Sequence, residues 1–475
     1  MNHRLPKLSG GLLVVLVLAY GGASWYAGRL AQQNIESWVS QANQDIAAQW
    51  GSKAPAPVLQ VKSYDRGVFG STVDYVLTYH DEQGAARELG LHDDLQHGPW
   101  PWAAVRDGVW QPLAAYSRMT PAVGGDWKSW EDAMPQGQEP WVALTRIGFS
   151  GAVSSEARFA PVKTDGLDFS GGTLQLHHDP RAGDTTLSGH FDRLTVQEKS
   201  TRATLKLNGL NLQAQSRSSG ESDRQGHQQL NLDQVDFIPQ EGLPITLQHQ
   251  TLTVNAAQTG GLMDSEAHYE VAQVQLAARN LGELQMTAAA QNVAVQALQG
   301  FTQTVARIDA AHAQGSDLTA QEQQQVRRSL LPILAASPHL ALRSLRWTNA
   351  QGTTELKAQA DFRPVDDGGS EDLGDTLQKS IQALSLNVQL SKPMLLQLVR
   401  ESQDSAGAEM TAALVSMLFD QYVGRLERAG LVKRPNPGTV NMDLAYADGQ
   451  VTANGVQMTP AELGERLATL QGGLF

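Results

Sequence analysis

The sequence predicts an α+β, β-dominated protein: an N-terminal transmembrane helix and stalk, then a large antiparallel, strand-rich body with a few packed helices. Three observations predict it. The first is a single apolar run without charge, Leu8 to Gly28, with no second apolar run of that length after it. The second is a change of apolar period after Pro57, from the helical period to two. The third is the supply of turn residues between the short segments that follow, at spacings that suit antiparallel meanders rather than βαβ units.

The amino-terminal element comes first. Arg4 and Lys7 precede the run, and Met1 to Lys7 holds no acid. About 20 apolar residues cross a hydrocarbon core of about 30 Å. The centre, Leu12 to Leu18, is strongly apolar, and Trp25 and Tyr26 stand where aromatic rings favour the headgroups. The basic flank keeps residues 1–7 in the cytoplasm and sends the body outward. Cleavage after Ala23, with Gly21 and Ala23 as small residues, is the competing reading. The uncleaved anchor is favoured because the run continues into a helical pattern at Ile35, Trp38, Val39, Ala42, Ile46 and Trp50. This reads as a stalk, ended by Gly51 and the Pro55–Pro57 pair.

The body follows in order. Val58–Tyr64 and Ser71–Tyr79 read as a hairpin across Asp65-Arg66-Gly67. Residues 90–140 read as an irregular, tryptophan-rich segment whose rings bury against a sheet, with a stacking platform for sugars as the functional competitor. From about 148 to 311, alternating strands repeat in style but not in sequence. A helix near 321–331, capped by Asp317, leads to strands at Ala341–Trp347 and Thr353–Phe362. The last hundred residues give a strand at Ile381–Leu390, a helix from Met410 to Arg428, and a hairpin across Ala447-Asp448-Gly449. A terminal helix then starts with Thr459 at N-cap, Pro460 at N1 and Glu462 at N3. The Met410–Arg428 helix has Leu414, Leu418, Tyr422 and Leu426 on one face, read as packing on the sheet. The resulting organisation is 1–7 cytoplasmic, 8–28 transmembrane, 29–50 stalk, 51–315 antiparallel β-rich, and 316–475 mixed α and β.

This arrangement, with Trp25-Tyr26 and Gly28, then Ser63-Tyr64-Asp65-Arg66-Gly67-Val68-Phe69, then His97-Gly98-Pro99 and the closing hairpin and helix, resembles the YdgA-like family of Gram-negative bacteria (DUF945). That family has no assigned activity. The resemblance implies an inner-membrane anchor with a periplasmic body. The Trp-Pro-Trp after His97-Gly98-Pro99 departs from it, because the family is associated with a less bulky apolar stretch there.

Chemistry is sparse. The chain has no cysteine among 475 residues, which removes thiol nucleophiles, thiolate metal sites and disulfides. A formal charge of −13 argues against nucleic acid as a partner. Neither a phosphate loop nor a nucleophile elbow occurs. His177 and His178 point to opposite faces of a strand, His190 could lie across a hairpin from one of them, and no Glu or Asp is obviously placed beside such a pair, so they read as structural or exposed. No residue is assigned a catalytic, cofactor-binding or metal-binding role, and no cofactor is expected. Two functions are expected to compete: a non-enzymatic envelope interaction or scaffold protein, and a lipid-binding or lipid-transfer protein with an apolar groove on a curved sheet. The second resembles AsmA-type envelope proteins in style. A filled core favours the first and an open apolar groove the second. Expected partners are the membrane, through the single anchor, an envelope protein or a lipid, and a second copy of the chain.

Overall fold

The computed structural model describes residues 55–80, 84–122, 124, 127–198, 201–220, 223–277, 279–311, 318–365, 372–401 and 405–471, with positions 35, 37, 39, 40, 42–44 and 46. The predicted membrane span, Leu8–Gly28, lies outside them. Among the described residues no helix is long and apolar enough to cross a membrane. The chain forms two compact units, one of residues 1–194 with 213–218, the other of 195–212 with 219–475.

The first unit is an antiparallel meander. Its strands are β1 (Val58–Arg66), β2 (Gly70–His80), β3 (Ala86–His97), β4 (Ala115–Pro121), β5 (Trp141–Ile147), β6 (Val153–Phe159), the short β7 (Val162–Lys163) and β8 (Leu167–Phe169), and β9 (Gly172–Asp179). β10 (Asp184–Gln197) pairs with β9 over residues 184–191. Pairing runs β1 to β6 in order, and then β6 to β9. Short helices α1 (Trp102–Arg106) and α2 (Lys128–Glu131) interrupt the strands. The segment read as irregular thus contains most of β3 and all of β4, whose polar residues hid the alternation. The described positions between 35 and 46 are helical, but they do not stand free as a stalk. Ile35 is buried with Val73, Tyr75, Leu95 and Ala115, and Val39 packs against the same cluster. Asn43 fastens the helix to β1: its Nδ2 donates to the Leu59 carbonyl (2.8 Å) and its Oδ1 accepts from the Leu59 amide (2.7 Å). Ile35 and Val39, two positions of the apolar spacing that marked a helix, lie on the face it packs against the sheet.

The strand β11 (Thr204–Ser218) precedes a longer meander in the second unit: β12 (Arg224–Ile238), β13 (Ile245–Thr259), β14 (Leu262–Leu276), β15 (Arg279–Ala294), β16 (His339–Asn349), β17 (Gly352–Phe362) and β18 (Ile381–Ser391). After these come β19 (Lys433–Asn436), β20 (Thr439–Ala447), β21 (Gln450–Ala453) and β22 (Val456–Met458). Consecutive strands from β12 to β18 pair antiparallel, β18 passes to β20, and β20 and β21 close the series with β22. The β13–β14 turn has two residues, Gly260 and Gly261, at φ 59° and 85°. A two-residue hairpin loop whose twist matches its strands needs that left-handed backbone.

Helices α3 (Val295–Ala311), α4 (Ala320–Ala335), α5 (Leu373–Ser380), α6 (Lys392–Glu401), α7 (Ser405–Arg428) and α8 (Pro460–Gln471) complete the unit. Thr319, not Asp317, caps α4. Glu322 stands three residues on and returns the bond to the Thr319 amide, a reciprocal pair that Asp317 could not make. Thr459 and Glu462 make the predicted pair on α8. Arg327 of α4, 1% exposed, donates from Nε to the Thr376 hydroxyl of α5 at 2.8 Å. On α7, Val423 is buried, with Phe419 and Leu426 packed beside it. Leu414, Leu418 and Tyr422 are about half exposed, so the face expected to be buried is only partly covered.

Candidate apolar ligand site

Register decides which side chains share a face of a sheet, because directly opposed residues point the same way. Across β12 to β20 one row reads Leu230, Leu252, Tyr269, Met286, Leu345, Leu356, Val388, Met442. Two residues along, the row from β14 to β20 reads Ala267, Ala288, Leu342, Ala358, Leu386, Leu444. One residue off, the opposite face reads Asn231, Thr251, Glu270, Gln285, Arg346, Glu355, Gln389, Asn441. The sheet therefore has one wet face and one apolar face.

The apolar face is not fully covered. A cavity of about 650 Å³ lies on it, lined chiefly by Leu340 and Leu342 of β16, Ala358 and Ala360 of β17, Leu384 and Leu386 of β18, and Leu444 and Tyr446 of β20, with no charged side chain. β17 contributes alanines between two strands of leucines, so it forms the floor of a trough. Leu340 and Leu384 remain 44% and 37% exposed, large values for leucines inside a sheet of this size. The same strands carry a second cavity of about 660 Å³ further along. Val388 and Leu390 of β18 and Val440 and Met442 of β20 face Leu418, Phe419 and Tyr422 of α7 there, with Gln421 and Arg425 also lining it. Both volumes fall in the range of sites for small organic ligands, about 300–1,000 Å³. Such a surface can hold an aliphatic chain. The alternating apolar residues were legible in the sequence. The run of alanines opposite leucines was not, because it depends on pairing.

The first unit holds a buried polar cluster that the sequence did not reveal. Ser71 Oγ and His97 Nε2 are 2.7 Å apart, joining the β1–β2 turn region to the His97-Gly98-Pro99 motif. His97 is 1% exposed and its Nδ1 has no hydrogen-bond partner. Burial, with a smaller push from the Arg66 charge, lowers its imidazole to about 4. Asp93, 3% exposed, accepts from the Ser117 hydroxyl at 2.6 Å. Burial raises its carboxyl to about 6 against the lowering effect of that bond. A serine–histidine pair invites a nucleophilic reading. Here it is shut beneath the sheet's covering layer, and Asp93, four residues back on β3, serves Ser117 instead of orienting the ring. The cluster is part of the interior.

The three histidines weighed as a metal pair are not brought together. In register His177 opposes Thr186 and His190 opposes Thr173, four positions apart along the ladder. His178 Nδ1 meets Thr185 Oγ1 at 2.9 Å, and His190 Nε2 meets Asp192 at 2.9 Å. Among the described residues no three potential ligands converge. The tryptophans divide into two groups. Trp127 packs against Trp130 and Trp141, with ring centres 5.9 and 6.1 Å away, and its Nε1 donates to the Gly90 carbonyl. Trp100, Trp102 and Trp110 are exposed, against the expectation that these rings bury.

Comparison with known proteins gives the same result over nearly the whole length. The chain is 25% identical over 488 residues to Protein YdgA of Escherichia coli (strain K12), covering 97% of this chain and 95% of that one. It is 22% identical over 494 residues to the uncharacterized protein YihF of the same organism, covering 97% and 98%. No solved structure matches it at a significant level. The family described as bacterial protein of unknown function (DUF945) matches residues 5–461, and the chain belongs to that family.

Proposed function

We propose that this chain is a non-enzymatic, inner-membrane-anchored protein whose body lies in the periplasm and holds the acyl chain of an amphiphilic lipid on its apolar sheet face. The observation that carries the reading is the uncovered trough floored by Ala358 and Ala360 between the leucines of β16 and β18. A scaffold would gain nothing from leaving that surface to water, since each square ångström of apolar area kept wet forgoes about 25 cal/mol. An acyl chain suits a lining with no charge. The second cavity adds Gln421, Arg425 and the Tyr422 ring beside the apolar floor, which suits the polar end of the same molecule. The anchor rests on the uncharged run Leu8–Gly28 and the outward body on Arg4 and Lys7.

The test is photocrosslinking. Cells expressing the full chain are fed palmitic acid carrying a diazirine near its methyl end, and crosslinked peptides are mapped. Label is expected on peptides of β17 and β18 as well as on the amino-terminal span. Ala358→Phe, which fills the floor, is expected to remove most of the β17–β18 label and leave that on the span. Label confined to the span in the unaltered chain would sink the proposal.

A further inference from the structure

Among the described residues of the first unit, the exposed aromatic side chains gather on a surface that has no part in the trough. It comprises Val68, Phe69, Trp100, Trp102, Trp110 and Phe149, between 49% and 74% exposed. Three backbone hydrogen bonds gather them at one end of the sheet. The His97 amide donates to the Phe69 carbonyl (2.9 Å), Gly98 to Ala114 (3.2 Å) and Ala114 to Ile147 (2.8 Å), so the β1–β2, β3–β4 and β5–β6 connections lie side by side. Trp100 Nε1 donates to the Trp110 carbonyl at 3.3 Å, holding two of the rings in place.

The covering helix shows where the chain arrives. Asn43 binds Leu59, which pairs with Leu77 toward the far end of β2. Ile35 packs with Val73, Leu95 and Ala115, nearer the aromatic end. From Ile35 to Asn43 the helix therefore runs away from the aromatic end as residue numbers rise, with Ile35 at the end nearer the aromatic residues. Gly28, the last residue of the uncharged run, is seven positions upstream of Ile35. Seven residues reach about 25 Å at full extension. The end of the run is thus held within that reach of Ile35, which packs nearer the end of the sheet that carries Trp100, Trp102 and Trp110.

We infer that this aromatic end docks on the bilayer interface, so that the first unit rests on the membrane that anchors it. Tryptophan rings with one apolar body and one polar N–H settle at the headgroup level. The rings dominate the patch, and three exposed arginines stand near it, Arg66, Arg146 and Arg106, the last beside Asp107; docking through the rings is expected to persist in high salt, where attraction of the arginines to anionic lipid would be screened. The inference rests on the anchor reading above, and the test separates the two.

Because the chain has no cysteine, single nitroxides can be placed by Trp102→Cys and Phe149→Cys in the patch and by Ala86→Cys at the opposite end of β3. Each full-length variant is reconstituted into vesicles of phosphatidylethanolamine and phosphatidylglycerol, floated on a density gradient, and read by power saturation. The expected result is that all float, that labels at 102 and 149 relax more with oxygen than with a water-soluble nickel chelate, and that the label at 86 does the reverse, with and without added salt. Floating protein whose labels at 102 and 149 are as open to nickel as that at 86 overturns the docking and leaves the anchor standing. Labels at 102 and 149 closed to both reagents indicate a protein or a second copy on the patch and also overturn it. Protein that does not float overturns the anchor reading and the docking with it.

Discussion

Asp93 and His97 are two groups on one strand whose protonation responds to burial in opposite directions. An acid held at about 6 when folded is most stabilising when neutral. Its contribution is complete below its ordinary unfolded value and is lost as pH rises through the folded one, which amounts to about 3 kcal/mol. A histidine held at about 4 is most stabilising when uncharged. Its contribution is complete above its ordinary value and is lost as pH falls toward 4. Between pH 4 and 6 the two trends oppose each other and flatten the profile. Asp93→Asn keeps an acceptor for Ser117 and removes one trend. It is expected to slow hydrogen exchange of β2 and β3 at pH 7.5 by stabilising the fold, and to leave stability near pH 4 almost unchanged. An equal gain at both pH values would show that ionisation of Asp93 is not the cause. Neither group was legible as buried. The stretch His92-Asp93-Asp94 falls in the segment read as irregular; pairing with β2 and β4 places Asp93 on the inner face and His92 on the outer, where it meets Asp74 at 2.8 Å.

At the scale of elements, what was legible depended on local signals. The strands Ile381–Ser391 and Thr439–Ala447, the hairpin across Asp448 and Gly449 at φ 49° and 79°, and the cap at Thr459 all carry their cause within a few residues. β3 and β4 were missed because their inner faces hold Asp93, His97 and Ser117 in place of aliphatic residues. The α7 face was partly misassigned for another reason. Helical spacing shows that Leu414, Leu418, Tyr422 and Leu426 share a side of the helix, but not how much sheet lies under it. Two substitutions separate core from site. Leu431, 2% exposed among Val451, Ala453 and Met458, is expected to cost about 2–5 kcal/mol as Leu431→Ala. Leu418→Ala, at a half-exposed wall of the second cavity, should cost about 1 kcal/mol or less. It should instead weaken capture of the crosslinking fatty acid. Urea titration and crosslink yield measured on the same preparations check both halves. A large loss of stability from Leu418→Ala would return that residue to the core.

For the whole molecule, the antiparallel, β-dominated plan was legible, because alternation with frequent turn residues admits few other architectures. The uncovered face was not legible. The same alternating strands could have been roofed by helices, and only the register shows alanines of β15 and β17 set beside leucines of β16 and β18. The order of pairing from β12 to β18 has a kinetic consequence. Each of these strands pairs with its sequence neighbours, and from β12 to β15 the connections are short, so low contact order favours rapid pairing there, whereas β15 and β16 close around the helices α3 and α4. A turn such as Gly260-Gly261 then acts as a nucleus. A Cβ at position 261 would meet no atom within 4 Å, but Gly261→Val would force a β-branched residue to φ 85°. It is expected to slow refolding of β13 and β14 in pulse-labelled hydrogen exchange more than it speeds their unfolding. The reverse partition would place the turn after the rate-limiting step. Any chain made from one end benefits from that order: from β12 to β15 each new strand finds its partner in the segment that emerged just before it, and assembly can keep pace with synthesis.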